Sequence, residues 1–166
     1  YVGDTFIASG QKSAGNPKTV ELQSVDSATF VSLLFSREAV EKMGLPIKEY
    51  FIWGDDKEYT LRLSASYPCY HVKNSIVIHK MASNAGSNIV IDAIARVPRY
   101  FYAFRNDLCT AKRRGAKEVI IYFTAFFLNM MRVLLKSKDG KKLRLQTMWK
   151  GMRAGVKFVP EIEYLT

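Results

Sequence analysis

Apolar residues in the first half of the chain come in short runs, whereas in the second half they recur every three or four positions. TVELQSV (19–25) alternates well enough to predict a short strand, and ATFVSLLF (28–35), rich in β-branched and aromatic residues, predicts a stronger one. SREAVEKMG (36–44) then predicts a short helix with Ser36 as its N-cap and Gly44 before Leu45-Pro46 as its stop. A second helix is expected from Asp55 to about Tyr67, with acids in its first turn, Glu58 and Arg62 one turn apart, and Pro68 ending it. CYHV (69–72) and SIVIHK (75–80) read as two more strands, the latter apolar enough to be buried.

From Asn88 the period changes. NIVIDAIARVPRYFYAFRNDL is helical in spacing but interrupted by Pro98, which should kink or split it. Residues 118–136 predict a helix with a broad apolar surface, and residues 141–156 a third with sparser apolar positions. The uninterrupted apolar stretch of the middle helix, Val119 to Leu128, falls short of the roughly 20 residues that span a bilayer. It reads either as a core helix or as an interfacial one, since Lys112, Arg113, Arg114 and Lys117 precede it and Arg132 and Lys136 close it.

Charge sharpens this division. Residues 1–95 hold nine Lys/Arg against ten Asp/Glu, whereas residues 96–157 hold sixteen Lys/Arg against Asp107, Glu118 and Asp139. The chain is therefore expected to form two parts, 1–87 and a basic helical extension over 88–166. Cys69 and Cys109 form no CxxC, so two unpaired thiols in a reducing compartment are expected. Residue 1 is Tyr and no basic-then-apolar leader follows, so the chain reads as a fragment.

The candidate chemistry lies in FIWGDDKEYTLRL (51–63). Asp55 and Asp56 sit side by side at a helix start, where backbone N–H groups and the helix dipole favour the ionised form. Such a carboxylate is a competent general base for a sugar or alcohol hydroxyl. His79, at the end of an apolar run, can offer a neutral imidazole to a divalent metal. The same residues also read as an N-cap, a solvated first-turn acid and a structural histidine, and local pattern alone leaves both accounts open.

The order of a short helix ending in MGLP, then EYFIWGDDKEYTLRL, then SIVIHK resembles the C-terminal half of family 2 glycosyltransferases of GT-A fold. It is most similar to the rhamnosyl- and galactofuranosyltransferases that build bacterial surface polysaccharides. Gly44, Leu45, Pro46, Phe51, Asp55, Asp56, Glu58 and Arg62 match the family's pattern around its acceptor-side acid, and RYFYAFRN (99–106) is similar to its following helix. The resemblance implies an α/β fold, with the C-terminal part of a GT-A sheet followed by the helical extension. It implies a metal-dependent, inverting transfer from a nucleotide sugar to a lipid-linked glycan acceptor, as an acceptor-side fragment inactive by itself. Asp56 would be the catalytic base, Trp53 and Asp55 would bind the acceptor, and His79 would help hold Mg²⁺ or Mn²⁺. The family's DxD motif, which supplies the other metal contacts, occurs nowhere in these 166 residues.

The expected partners are the nucleotide-sugar donor, the glycan or glycolipid acceptor and an anionic membrane surface, with oligomers open. The expected location is cytoplasmic, peripheral at the inner face of the membrane. A non-catalytic basic module binding membrane or nucleic acid is the alternative function. No helix-turn-helix spacing, RNP motif or zinc finger is present, so nucleic acid is not the expected partner. A metal-dependent hydrolase built on Asp55, Asp56 and His79 would draw on more ligands than a chain with two histidines offers.

Overall fold

The structure, a computed structural model, describes residues 20–78, 80 and 86–165. They are mostly helical, and they group into two compact units. The first draws on Tyr1–Ile47, Asp55–Ala82 and Glu161–Thr166, and the second on Lys48–Gly54 and Ser83–Pro160.

In the first unit the sheet is two-stranded and antiparallel. β1 (Leu22–Ser24) pairs with β2 (Tyr70–Val72) in the register Leu22 to Val72 and Ser24 to Tyr70. Residues 28–35 form a turn and irregular backbone instead of the expected strand. Their aromatics serve the core: Phe35 meets Tyr59 edge-on with ring centroids 5.2 Å apart, and Phe30 packs on both rings. Residues 75–78 are not a buried strand either, since Ile76 and Ile78 face solvent. In both segments β-branched content without a pairing partner overstated the strand.

α1 (Arg37–Met43) is capped as its sequence requires, the Ser36 hydroxyl accepting the Ala39 N–H at 3.2 Å. α2 (Asp55–Ser64) ends three residues before Tyr67 and buries Tyr59 and Leu63 against Ala39. At Gly44 the chain takes φ +76°, and a Cβ there would stand 2.4 Å from Ile162 and 2.7 Å from the Glu163 carbonyl. That carbonyl accepts the Leu45 N–H, so the Gly-Leu-Pro turn is closed by the C-terminal segment.

The second unit is a helical bundle. A 3₁₀ turn over Ile94–Arg99 contains Pro98 and leads into α3 (Tyr100–Arg114); residues 89–92 are turn and bend, so the α-helix expected from Asn88 begins only after the proline. α4 (Ala116–Lys136) and α5 (Lys141–Lys157) follow. The core joins Ile89 and Val90 to Phe104, Leu108, Phe126 and Met148. α3 and α5 meet across Gly151 and Gly155, where an added Cβ would lie 2.5 Å from the Phe101 carbonyl oxygen and 2.9 Å from that of Arg105. Arg144 is buried at the start of α5 and donates to the carbonyls of Ile89 (2.6 Å), Asp92 (2.8 Å) and Asp139 (3.1 Å) and to the Asp139 carboxylate (2.6 Å). Cys69 and Cys109 are both buried free thiols.

The apolar extent of α4 exceeds the ten residues read from its longest unbroken run. It is one helix of 21 residues, long and apolar enough to cross a membrane by length and composition, yet its apolar window is only 17% buried.

Candidate active site

α2 begins at the acid pair because Gly54, with φ +85°, turns the chain immediately before it. Asp55 and Asp56 occupy the first turn, both half-buried. The Asp56 Oδ1 accepts the Lys57 N–H at 2.7 Å. Burial raises the Asp56 carboxyl above the ordinary aspartate value, and the Asp55 charge adds to the rise. The backbone N–H groups of Lys57 and Phe30 pull it down less strongly. Desolvation thus outweighs the hydrogen bonds that were expected to hold the pair ionised, and Asp56 is the more basic for it.

Thr60 shapes the ground around this acid. Its hydroxyl accepts the Ala28 N–H at 3.0 Å and donates to the Asp56 carbonyl at 2.7 Å. It thereby fastens the 28–30 turn to α2 and brings the Phe30 N–H to the carboxylate.

Glu58 and Arg62 are more than the expected one-turn pair. Glu58 is buried and takes two hydrogen bonds from the guanidinium, at 3.0 and 3.1 Å. The same guanidinium donates to the carbonyls of Met43 and Leu45, the latter at 3.0 Å. A planar fork with five donors suits this double duty. The spacing between Gly-Leu-Pro, the acids and the arginine therefore encodes a clamp that fixes α2 to the end of α1.

Trp53 belongs to the second unit. It packs half-buried on Tyr100, ring centroids 4.8 Å apart, and borders the bundle core, so one side of the indole is committed to packing. Phe51 is far more exposed, at 76%. Both residues have left-handed backbone, φ +61° for Phe51 and +62° for Trp53, a conformation that costs a non-glycine residue about 1–2 kcal/mol.

What holds this loop is Asn106, fully buried on α3. Its carboxamide nitrogen lies 2.9 Å from the Tyr50 carbonyl oxygen, 3.2 Å from that of Ile52 and 2.7 Å from that of Trp53. Two N–H hydrogens therefore serve three acceptors. Its own carbonyl accepts from Arg105 Nε at 2.9 Å, and Arg105 also donates to the Glu49 carbonyl at 2.5 Å. Nothing in the periodicity of α3 singled out Asn106; the available signal was a mid-helix asparagine one turn before Cys109 and Thr110, on the side of the helix away from Phe104 and Leu108.

His79 lies outside the described residues. Among the described residues no three His, Cys, Asp or Glu side chains come together in a way that would hold a metal ion. Asp55 and Asp56 alone do not constitute such a site. No family model, no curated protein and no solved structure matches the chain.

Proposed function

We propose that the chain carries the acceptor side of an inverting glycosyltransferase, with Asp56 as the general base. The observation that supports this most is the Asp56 carboxylate itself. It is half-buried at a helix start, raised in basicity by desolvation and by Asp55, and held by backbone donors that leave acceptor capacity for a hydroxyl. In the proposed reaction Asp56 takes the proton of an acceptor hydroxyl as that oxygen attacks the anomeric carbon of a nucleotide sugar. The bond from that carbon to the nucleotide breaks on the opposite face, and its electron pair leaves with the diphosphate. Asp55 accepts hydrogen bonds from neighbouring acceptor hydroxyls, and the exposed part of the Trp53 ring offers an apolar platform to a sugar.

The Mg²⁺ or Mn²⁺ that the resemblance implies would be held by His79 and by a DxD motif, neither of which is among the described residues. Donor binding belongs, on the same reading, to a nucleotide-binding half N-terminal to this region.

The test is Asp56→Asn in the polypeptide that includes that half. Transfer should be abolished while nucleotide-sugar binding, measured by calorimetry, is retained. Unchanged turnover would rule out Asp56 as the base. Loss of donor binding together with turnover would assign it to the donor side instead. The alternative, a non-catalytic basic interaction module, draws its support from the solvent-facing side of α4.

A further inference from the structure

α4 is apolar on both sides. Tyr122, Phe126 and Val133 face the core. Ile120, Phe127, Leu128, Met131, Leu134 and Leu135 point the other way and are exposed, Leu135 to 74%. At 3.6 residues per turn these six fall within about a third of the helix circumference, over about 22 Å of its length. Thr124 is the one polar residue inside that stripe, and its hydroxyl donates back to the Ile120 carbonyl at 3.0 Å. The stripe therefore presents almost no hydrogen-bonding capacity, and an apolar surface of this extent marks an interaction site.

Its borders are mainly cationic, the acids there being Asp139, which pairs with Arg144, and the half-buried Glu118. Arg114 and Lys117 are exposed at the N-terminal end, and Arg132, Lys136 and Lys138 at the C-terminal end. Trp149 of α5 meets Phe126 edge-on with centroids 5.6 Å apart, and it lines a shallow groove with Lys142, Lys150 and Arg153. A second copy of the chain is a poor occupant. Packing α4 on α4 in either direction sets cationic ends against cationic ends, and like charges across an interface repel.

We infer that this face is a docking surface for an anionic lipid bilayer. α4 lies in the plane of the headgroup boundary, with its outer stripe in the acyl region and the cations at both ends on lipid phosphates. Trp149 sits at headgroup depth, where an indole is favoured. The helix lies on the bilayer rather than crossing it because its inner side is occupied. The Tyr122 hydroxyl donates to the Phe104 carbonyl at 3.0 Å, and α3 and α5 pack there with many charged residues of their own. This inference does not depend on the chain having transferase activity.

The experiment is flotation of the purified chain with vesicles of phosphatidylcholine alone and of phosphatidylcholine mixed with phosphatidylglycerol, at low and high salt. Salt-sensitive binding to the mixed vesicles is expected. Leu128→Ser with Leu135→Ser should abolish it, and Lys117→Gln with Arg132→Gln should lower partitioning about 30-fold, each lost cation counting about fivefold. All four residues are exposed, and matching circular-dichroism melts would show that both double variants fold. Equal binding to neutral vesicles overturns the electrostatic half of the inference. Failure to float overturns the whole, whether the chain is then monomeric, dimeric by sedimentation or retained on DNA.

Discussion

Replacing Asn106 tests how the loop bearing Trp53 is held. In Asn106→Ala the carbonyls of Tyr50, Ile52 and Trp53 lose their shared donor, which amounts to two hydrogen bonds of about 1 kcal/mol each plus the cost of leaving the half-buried Ile52 and Trp53 carbonyls without it, while the Tyr50 carbonyl keeps the Ile52 N–H. The gross loss is about 3–4 kcal/mol. Against it stands the left-handed backbone at Phe51 and Trp53, whose relaxation returns about 1 kcal/mol per residue once the loop is released. The expected net loss is therefore about 1–2 kcal/mol by urea denaturation, accompanied by a red shift of Trp53 emission in a Trp149→Phe background as the ring leaves Tyr100. Asn106→Asp separates the donor from its shape. Full burial and three facing carbonyl oxygens raise its folded-state pKa above the ordinary value of about 3.9, with the Arg105 Nε contact working in the opposite direction. The penalty is absent below about pH 4 and grows as pH rises through the folded pKa, making Asp worse than Ala at pH 7 and better than Ala in acid. The reasoning fails if Asn106→Ala stays within about 0.5 kcal/mol of wild type with unchanged Trp53 emission, since that is the usual range for a surface substitution.

Three further outcomes are expected. Gly151→Ala should lower stability by about 1–3 kcal/mol despite a better helix propensity, and by more than Gly155→Ala, because its Cβ lands closer to α3 backbone; a stabilised Gly151→Ala in chemical denaturation would contradict the close approach. Arg144→Met should cost about 3 kcal/mol in thermal denaturation, with Arg144→Lys recovering only part, because a single ammonium cannot span the four acceptors. Asp56→Asn should melt higher than wild type at pH 7: a raised folded pKa means the ionised form is disfavoured in the native state, so the native advantage present at low pH is lost as pH rises through it. The two melting curves should converge below about pH 4, and a lower melting temperature for Asp56→Asn at pH 7 would show that burial does not dominate at this acid.

The helices were legible because their period is local: Ser36, Gly44 and the 3.6-residue spacing place α1, α4 and α5 within a few residues, whereas α3 starts only after Pro98, well past the expected Asn88. The overestimated strands failed for a non-local reason. Residues 28–35 have the composition of a strand, but Tyr59 claims their aromatics for a side-chain cluster, and the partner that β1 finds is β2, far along the chain. At the candidate site the acids could be read from their position at a helix start, whereas the direction of the Asp56 shift could not, because desolvation depends on the 28–30 turn that Thr60 draws in. Glu58 and Arg62 announced themselves as an ion pair; that the pair serves the Met43 and Leu45 carbonyls is a tertiary fact. Asn106 gave no periodic signal at all, because its importance lies in carbonyls more than fifty residues earlier.

The contact between α3 and α5 also sets a mechanical rule. Gly151 and Gly155 lie one helical turn apart, each admitting α3 backbone where no side chain fits. A slide of one residue in either direction would drive a side chain into the Phe101 or Arg105 carbonyl. The next register that again places a glycine at the crossing is a full turn away, about 5.4 Å. Small displacements of α5 are thus opposed, and a push upon it bears directly on α3, which carries Arg105 and Asn106. The loop those two residues hold moves with the helix pair as one piece, or it stays where it is.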